Sequence, residues 1–217
     1  MGNSQNAGKT GSLFIIAAPS GAGKTTLVRK LCEQLPNLEV SVSHTTRPRR
    51  SNETDRVDYF FIDEDKFMEK VKQGRFLEHA TVFNHHYGTS KKWVQEKLDQ
   101  NIDIILEIDW QGARDIRKLM PNAISIFILP PSFTALEQRL YHRGDDDEIT
   151  IKGRMQCALN EISHYKEFDY LVINDDLNTA LDELKTIIES IRENRPCQVQ
   201  DHNDFAEQIM AQGAEVK

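Results

Sequence analysis

The chain has 217 residues, of which 39% are hydrophobic and 28% charged, so it is long enough to form one domain with a substantial core. Its formal net charge of −7 argues against nonspecific binding to nucleic acid or to an anionic membrane, although a local basic pocket is compatible with it. No apolar run is long enough to cross a bilayer, and no signal-peptide core is present. Three widely separated cysteines without a C-x-x-C pair argue against a zinc site or redox pair, and we expect a cytoplasmic protein with reduced thiols.

The first feature along the chain is the tetrapeptide Ala-Gly-Lys-Thr, which occurs at Ala7–Thr10 and again at Ala22–Thr25. A phosphate-binding loop needs a buried strand before it and a helix after it, because backbone N–H groups and the helix N-terminus bind the anion. The first copy has neither, and we interpret residues 1–10 as a flexible tail. The second copy follows the apolar run Leu13–Ala17 and precedes a helical pattern that ends near Pro36, which predicts a strand, a phosphate-binding loop and a helix.

The second copy departs from the pattern G-x-x-x-x-G-K-[ST] at one position, since Ala18 stands where the first glycine is expected. Alanine can form the turn if its φ stays negative, and Gly21 and Gly23 remain where the backbone approaches a phosphate. The loop therefore predicts binding of a nucleoside triphosphate, with Lys24 reaching the terminal phosphates and the Thr25 hydroxyl coordinating Mg²⁺. The predicted triphosphate-binding residues of this loop are Ala18, Pro19, Ser20, Gly21, Ala22, Gly23, Lys24, Thr25 and Thr26.

A polar segment, Ser41–Arg50, carries three arginines among its last four residues. Guanidinium groups bind phosphates through paired hydrogen bonds, although a solvated basic loop would have the same composition. After it, Tyr59–Phe61 suggests a strand, Glu64–Gln73 a short helix and Phe76–Tyr87 an extended pattern with turns. This stretch is therefore predicted to be a small mixed unit and not another strand–helix repeat.

Two further strands are predicted downstream, at Ile102–Asp109 and at Tyr170–Ile173. The first ends in Glu107 and Asp109, at the carboxyl end of a strand, where ligands bind in parallel α/β sheets. The second is followed by Asn174, which suits either a ligand contact or an ordinary turn.

The C-terminal part of the chain contains an amphipathic helical pattern over Asn178–Arg195. Residues 198–217 are polar with one weak apolar set, formed by Phe205, Ile209 and Met210. This last segment is compatible with a short helix, a subunit contact or a frayed tail.

Nine segments taken in order resemble the guanylate kinases, enzymes that phosphorylate GMP with ATP: APSGAGKTT, SVSHTTRPRR, DYFF, FLEHA, YGTS, LEIDWQGA, IFILPPS, RGDDDEITIKGRM and VINDDL. The resemblance covers about residues 11–193 and leaves 194–217 as a C-terminal extension. It implies an α/β fold in which a parallel-sheet core carries the P-loop at 18–25 and has helices on both faces. It also implies a small inserted mixed α+β GMP-binding segment at about 43–90 and a helical lid at about 139–156.

The resemblance also implies which residues contact GMP. Those matching the phosphate ligands of the family are Ser43, Arg47, Arg50, Tyr59 and Tyr87, and those matching the guanine ligands are Glu78, Thr89 and Asp109. Glu107 would act on GMP or on the waters of Mg²⁺. The family reads T-R-x-P-R-x-G-E where this chain reads TRPRRSNE, so Arg49 competes with Arg50 for the second arginine position.

The implied reaction gives ADP and GDP, and the residues expected to stabilise it are positively charged: Lys24, Arg47, Arg139, Arg143 and Arg154. The attacking GMP oxygen is already ionised, so no general base is required. We accordingly interpret His44, His85 and His86 as surface or packing residues. By resemblance Asn174 lies near the adenine, with the turn as the alternative stated above.

Two other classes of function fit the sequence less well. A guanylate-kinase-like interaction module typically has a degraded P-loop, whereas Lys24, Thr25, Arg47 and Arg143 are all present here. A GTPase switch would need an N-K-x-D signature, which the chain lacks. The sequence therefore predicts an Mg²⁺-dependent kinase of purine nucleotide metabolism that acts on ATP and on GMP or dGMP, and it leaves a homo-oligomer open.

Overall fold

The computed structural model describes most of the chain, namely residues 10–51, 53–82, 84–142 and 148–215. The predicted lid arginine Arg143 and nearly all of the predicted N-terminal tail, residues 1–9, lie outside the described residues. None of the helices in the described ranges combines the length and the apolar character needed to cross a bilayer.

The described chain contains nine strands and eight α-helices, with one 3₁₀ turn at Tyr165–Glu167. The strands are β1 (Leu13–Ala17), β2 (Leu38–Val40), β3 (His44–Thr45), β4 (Phe60–Phe61), β5 (Phe76–Val82), β6 (His85–Ser90), β7 (Asp103–Glu107), β8 (Ile124–Leu129) and β9 (Tyr170–Ile173). The helices are α1 (Lys24–Gln34), α2 (Glu64–Lys72), α3 (Lys91–Asp99), α4 (Trp110–Leu119), α5 (Phe133–His142), α6 (Glu148–Ile162), α7 (Leu177–Arg192) and α8 (Asn203–Glu215).

The chain divides into two compact units. Unit 1 contains the described residues up to Leu13 together with Asn37–Leu106. Unit 2 contains Phe14–Pro36 together with the chain from Glu107 to the end of the described residues. Each unit has its own parallel strands, and the residues predicted to bind nucleotides are distributed over both.

Unit 2 is built on three parallel strands in the order β1-β8-β9. Phe14 of β1 pairs with Ile124 of β8, and Ile126 of β8 pairs with Tyr170 of β9. Every residue of β1 is buried, which is typical of a parallel strand covered on both faces. The strands predicted at Leu13–Ala17 and Tyr170–Ile173 are confirmed with the same bounds.

Helices cover both faces of these strands. On one face, Phe127 and Leu129 of β8 belong to a buried cluster with residues of α5, α6 and α8. Because successive side chains of a strand point to opposite faces, Ile126 and Ile128 face the other way, and both have 0% exposure. On unit 2, α7 packs against both β9 and α1. The predicted α/β class is confirmed.

The C-terminal extension folds as a helix, α8, which packs against α5 and α6. Ala206 and Ile209 are buried in the same cluster as those two helices. Close approach is needed at Gly213, where an added Cβ would lie 2.1 Å from Leu159 Cδ2. Among the three alternatives that the sequence left for this segment, the structure contains the helix, and the helix contributes to the core of unit 2.

The replacement Ile209→Ala tests the contribution of α8 to stability. We expect the free energy of unfolding to fall by about 2–4 kcal/mol, because a fully buried isoleucine is replaced by a cavity. Urea unfolding followed by circular dichroism measures the loss, with the exposed Gln208→Ala on the same helix as the control. Equal unfolding midpoints for the two variants would show that α8 adds nothing to the core.

Unit 1 contains the parallel pair β2–β7 and a separate four-stranded sheet in the order β4-β3-β6-β5. In the second sheet β6 is antiparallel to both of its neighbours, whereas β3 and β4 are parallel. Helix α2 packs on β5 through Phe67, which is 1% exposed and whose ring lies 4.7 Å from that of Phe76. The small mixed unit predicted for this stretch is confirmed, with β3, β4, β5, β6 and α2 as its elements.

Candidate active site

A glycine-rich loop, residues 18–23, connects β1 to α1 in unit 2. Gly21 and Gly23 have φ angles of 92° and 91°, a left-handed conformation that side chains with a Cβ rarely adopt. Gly23 caps α1 without any side-chain hydrogen bond, so the first N–H groups of the helix are not satisfied by the cap. Ala18 is not among the described non-glycine residues with positive φ, which confirms that alanine can form the turn there.

Lys24 begins α1 and lies in acidic surroundings. Burial lowers the pKa of Lys24 below the ordinary lysine value, and the carboxylates of Glu107, Glu161 and Asp109 oppose that shift. The lysine is therefore a half-buried amine with three acids of unit 2 near enough to affect its titration.

Glu161 is a residue of this site that the sequence analysis missed. It lies on α6, and its Oε2 accepts a hydrogen bond from the backbone N–H of Ser20, in the glycine-rich loop, at 3.2 Å. Burial raises the pKa of the Glu161 carboxyl, while the Ser20 N–H and Lys24 act in the opposite direction. No local pattern indicated a role for Glu161, because a glutamate in a helical pattern is normally a solvated surface residue.

The two predicted acids at the carboxyl end of β7 have different environments in unit 2. Asp109 caps α4, with its Oδ1 accepting the Gly112 N–H at 2.8 Å. The Oε1 atom of Glu107 is buried, and no hydrogen-bond partner for it exists among the described residues. A buried carboxylate oxygen without a partner is costly, and it is available to a ligand.

Asn174 and Arg139 both bind backbone carbonyls of unit 2. Asn174 Nδ2 donates to the carbonyl oxygen of Ala22 at 2.6 Å. Arg139 Nη2 donates to the carbonyl oxygen of Asn174 at 3.0 Å, and its Nη1 lies 3.5 Å from the Ala22 oxygen. Arg154, the other described residue among the predicted lid arginines, is half-buried on α6. The structure therefore connects Arg139 and Asn174 to the glycine-rich loop.

In unit 1, three of the predicted GMP-phosphate ligands lie together. The guanidinium of Arg47 lies 5.5 Å from the ring centre of Tyr59, and Tyr87 is near enough to contribute to raising the pKa of Arg47. The rings of Tyr59 and Tyr87 are 6.0 Å apart in an edge-on arrangement. A cation and two phenol side chains are thus available in one place to hydrogen-bond a phosphate.

Glu53 organises the arginine loop, and it was not among the predicted site residues. Its Oε1 binds Arg47 Nη2 at 2.5 Å, its Oε2 accepts the backbone N–H of Arg50 at 2.8 Å, and its carbonyl oxygen accepts Arg49 Nη1 at 2.7 Å. The hydrogen bond with Glu53 is the main cause that raises the pKa of Arg47. The signal for Glu53 was present, since it matches the glutamate that ends the motif T-R-x-P-R-x-G-E. Whether Arg49 or Arg50 takes the second arginine position stays open.

Two further predicted GMP ligands of unit 1 lie on neighbouring strands. Glu78 of β5 pairs with Thr89 of β6, and Thr89 Oγ1 donates to Glu78 Oε1 at 2.6 Å. Thr89 has 0% exposure, so its hydroxyl holds the carboxylate from a rigid position. The carbonyl oxygen of Ser43 accepts the N–H of Phe60 at 2.9 Å, which places Ser43 beside β4.

The histidines of unit 1 pack as expected. His44 is 9% exposed, stacks on Phe60 at 4.7 Å and meets the edge of Phe76 at 5.4 Å. His86 stacks on Phe67 at 5.3 Å. The interpretation of these two side chains as packing residues is confirmed.

The pKa of His44 makes unit 1 sensitive to acid. Burial, with a smaller contribution from the positive Lys70, lowers this pKa from 6.5 to about 4. The unfolded chain therefore binds more protons between these two values, and stability is lost as the pH falls from 6.5 towards 4. We expect His44 to account for about 2 kcal/mol of the loss at about pH 4.5. Urea unfolding at about pH 6.5 and at about pH 4.5 measures the loss of unfolding free energy in acid. This loss should be smaller in His44→Phe than in the wild type, and it should be unchanged in the exposed control His142→Gln. Equal losses in all three proteins would contradict the assignment.

A glycine-rich loop that runs from a buried parallel strand into a helix, in a fold with helices on both faces of the strands, defines a nucleotide-binding protein of the α/β class. A family model described as guanylate kinase matches residues 10–191. The chain belongs to the guanylate kinase family.

Individual relatives support the assignment. The chain is 55% identical to the guanylate kinase of Coxiella burnetii over 187 residues, covering 86% of this chain and 91% of that protein. It is 52% identical to the guanylate kinase of Hydrogenovibrio crunogenus over 202 residues, covering 93% of this chain and 98% of that protein. The crystal structure of guanylate kinase from Anaplasma phagocytophilum superimposes with a TM-score of 0.70 at 32% identity, covering 84% of this chain and 87% of that one.

Proposed function

We propose that this chain transfers the terminal phosphoryl group of ATP to GMP or dGMP, giving ADP and GDP, as a step of purine nucleotide metabolism. The observation that carries the proposal is the cluster of Arg47, Tyr59 and Tyr87 in a chain that also has a glycine-rich loop with Lys24. A protein that binds only a triphosphate does not require a second phosphate-binding cluster such as the one formed by these three residues. Membership of the guanylate kinase family supplies the identity of the acceptor.

The loop and Lys24 would hold the triphosphate of ATP. Backbone N–H groups at the start of α1 favour the anion, and Lys24 adds a positive charge near its terminal phosphates. The acids around Lys24 oppose the lowering of its pKa by burial and so favour the charged amine. Phosphoryl transfer depends on such positioning and on charge stabilisation, so this chain needs no covalent nucleophile.

The acceptor phosphate would be held by the cluster in unit 1. GMP brings a doubly charged phosphate that must approach the triphosphate of ATP, and Arg47 offsets the repulsion between them. The hydroxyl groups of Tyr59 and Tyr87 donate hydrogen bonds without adding charge. Ser43 and either Arg49 or Arg50 complete the proposed phosphate site.

Guanine would be recognised by Glu78 and Thr89, with Asp109 as the third proposed ligand. Guanine presents two hydrogen-bond donors, at N1 and at its exocyclic amine, and a carboxylate accepts from both. Adenine has no donor at N1, so it would leave the carboxylate of Glu78 incompletely paired.

The residues around the loop also fit a Mg²⁺ ion. Mg²⁺ prefers oxygen ligands, and the exposed Thr25 hydroxyl and the unpartnered Glu107 Oε1 offer them directly or through water. No group of three metal-ligating side chains was found among the described residues, which suits an ion that is held largely by the nucleotide and by water. When bound, the ion supplies positive charge that neutralises the phosphates.

The remaining proposals concern the division of the chain into segments and its location in the cell. We assign residues 11–193 to the kinase domain, about 43–90 to the GMP-binding segment and about 139–156 to the lid, whose arginines would be Arg139, Arg143 and Arg154. A cytoplasmic location is proposed as well, and it agrees with the absence of a disulfide among the three cysteines.

A coupled ADP-release assay tests the proposed function. Purified protein with Mg²⁺ and ATP is offered GMP, dGMP, AMP, UMP or CMP, and ADP formation is recorded for each. We expect GMP and dGMP to support turnover and the other three nucleotides to support little. Turnover that is independent of the monophosphate would indicate an ATPase, and equal rates with AMP would contradict the guanine assignment.

A further inference from the structure

We propose that Asn174 is a positioning residue for the phosphate-binding loop. Through its hydrogen bond to the Ala22 carbonyl, Asn174 sets the direction of the Gly23 N–H. Its effect on nucleotide binding is therefore independent of the base. The inference rests on the proposed function, since it concerns how the same loop binds a triphosphate. It departs from the expectation that Asn174 contacts adenine.

The side chain of Asn174 is held inside the protein. The residue is 6% exposed, and its backbone N–H donates to the carbonyl oxygen of Leu129 at 2.8 Å, which continues the pairing of β9 with β8. Its own carbonyl oxygen accepts from Arg139 at 3.0 Å. The backbone of Asn174 is thus fixed on both sides, and the amide nitrogen reaches Ala22 from a rigid base.

The contact with Ala22 determines the orientation of one peptide unit. In a planar trans peptide, the carbonyl of one residue and the N–H of the next point in opposite directions. Asn174 Nδ2 binds the Ala22 oxygen at 2.6 Å, so the N–H of Gly23 must point away from Asn174. Backbone N–H groups of such a loop are the groups that bind phosphate. Asn174 therefore fixes a phosphate donor without touching the nucleotide.

Gly23 shows that the loop and Asn174 fit each other closely. A Cβ added at Gly23 would lie 2.3 Å from Asn174 Nδ2, a distance at which the amide would have to move. The φ of 91° independently disfavours any residue with a Cβ at this position. The loss of ATP affinity in Gly23→Ala should consequently have two parts. One part comes from the collision with Asn174, and the other comes from the strained φ and is independent of Asn174.

The experiment compares binding of ATP and of inorganic tripolyphosphate, each with Mg²⁺, by calorimetry and by competition against ATP. Asn174→Ala should weaken both ligands by a similar factor of about 10 or more, because the Ala22 carbonyl loses its short hydrogen bond and the loop can reorient. Asn174→Leu, which approximately keeps the side-chain shape and lacks the donor, should behave in the same way. It replaces the alanine variant if that variant fails to fold. The exposed Asn178→Ala on α7 is the matched control.

A double-mutant cycle tests whether Asn174 and the Gly23 position act together on ATP binding. Gly23→Ala should weaken ATP binding several-fold less in the Asn174→Ala background than in the wild type, because the amide that collides with the new Cβ is gone. Loss of ATP binding without loss of tripolyphosphate binding would assign Asn174 to the adenine and overturn the proposal. Unchanged binding of both ligands, or additive effects in the cycle, would also overturn it. Failure of the wild type to bind ATP would instead contradict the proposed function.

Discussion

Replacing Lys24 with alanine should lower turnover by about a thousandfold or more, while the protein remains folded. An arginine that contacts the transferring phosphoryl group in other P-loop enzymes contributes a rate factor of about 10³–10⁵, and we expect a comparable contribution from the positive charge of Lys24. Lys24 is the first residue of α1 and follows Gly23 directly, so its amine belongs to the same helix N-terminus that is proposed to bind the triphosphate.

The surroundings of Lys24 increase the expected effect. Glu107, Glu161 and Asp109 influence the titration of the amine, and their negative charges would be uncompensated in the alanine variant. These acids would then repel a triphosphate, with no positive charge from Lys24 to offset them. We therefore expect the KM for ATP to rise together with the fall in kcat, in contrast to a variant that loses only a transition-state contact.

The measurement is steady-state ADP release with GMP as acceptor, together with circular dichroism to verify the fold. Lys30→Ala, on the same helix, is the control and should retain nearly normal turnover. Lys24→Arg keeps the charge and should recover part of the activity. If Lys24→Ala turned over at close to the wild-type rate, its proposed role would be refuted.

The sequence predicted the glycine-rich loop well, because the signal there is local. Leu13–Ala17 is a continuous apolar run, and its strand bounds are confirmed. The helix after the loop begins at Lys24 and ends at Gln34, just before the predicted stop at Pro36. Strand–loop–helix order depends on neighbours in sequence, and periodicity and turn chemistry are sufficient to find it.

The residues that organise the candidate site were harder to find, because they act at long sequence separation. Glu161 binds a backbone N–H that is 141 positions away, and Asn174 binds a carbonyl that is 152 positions away. Nothing in a helical pattern distinguishes Glu161 from a solvated acid, and an asparagine after a strand is common in turns. Only tertiary packing makes these two side chains part of the loop.

The C-terminal segment illustrates a different reason for uncertainty. Phe205, Ile209 and Met210 form a weak apolar set that could serve a helix, a contact or a tail, and their partners on α5 and α6 are remote in sequence. The family match ends at residue 191, so resemblance did not help there either. Burial of Ile209 in a shared cluster is a property of the folded chain that no local pattern contains.

Replacing Glu78 with alanine should raise the KM for GMP by about 100-fold or more and should reduce the preference for GMP over AMP. The carboxylate is positioned by Thr89, whose buried hydroxyl donates to Glu78 Oε1 at 2.6 Å. Two hydrogen bonds from guanine to a charged acceptor would be lost in the variant, each worth about 1.5–3 kcal/mol when the acceptor is ionised. The ATP site should be little affected, because the change removes a base contact and no phosphate ligand.

Two further variants separate base recognition from stability. Glu78→Gln keeps one acceptor oxygen and should lie between the wild type and Glu78→Ala in its affinity for GMP. Glu96→Ala, an exposed glutamate on α3 of the same unit, removes the same charge and should leave the KM unchanged. Calorimetry with GMP and AMP measures the affinities directly. Guanine recognition by Glu78 requires the loss of affinity to be specific for GMP. Wild-type GMP affinity in Glu78→Ala, or an equal loss for GMP and AMP, would contradict it. The carboxylate would then only stabilise the pairing of β5 and β6.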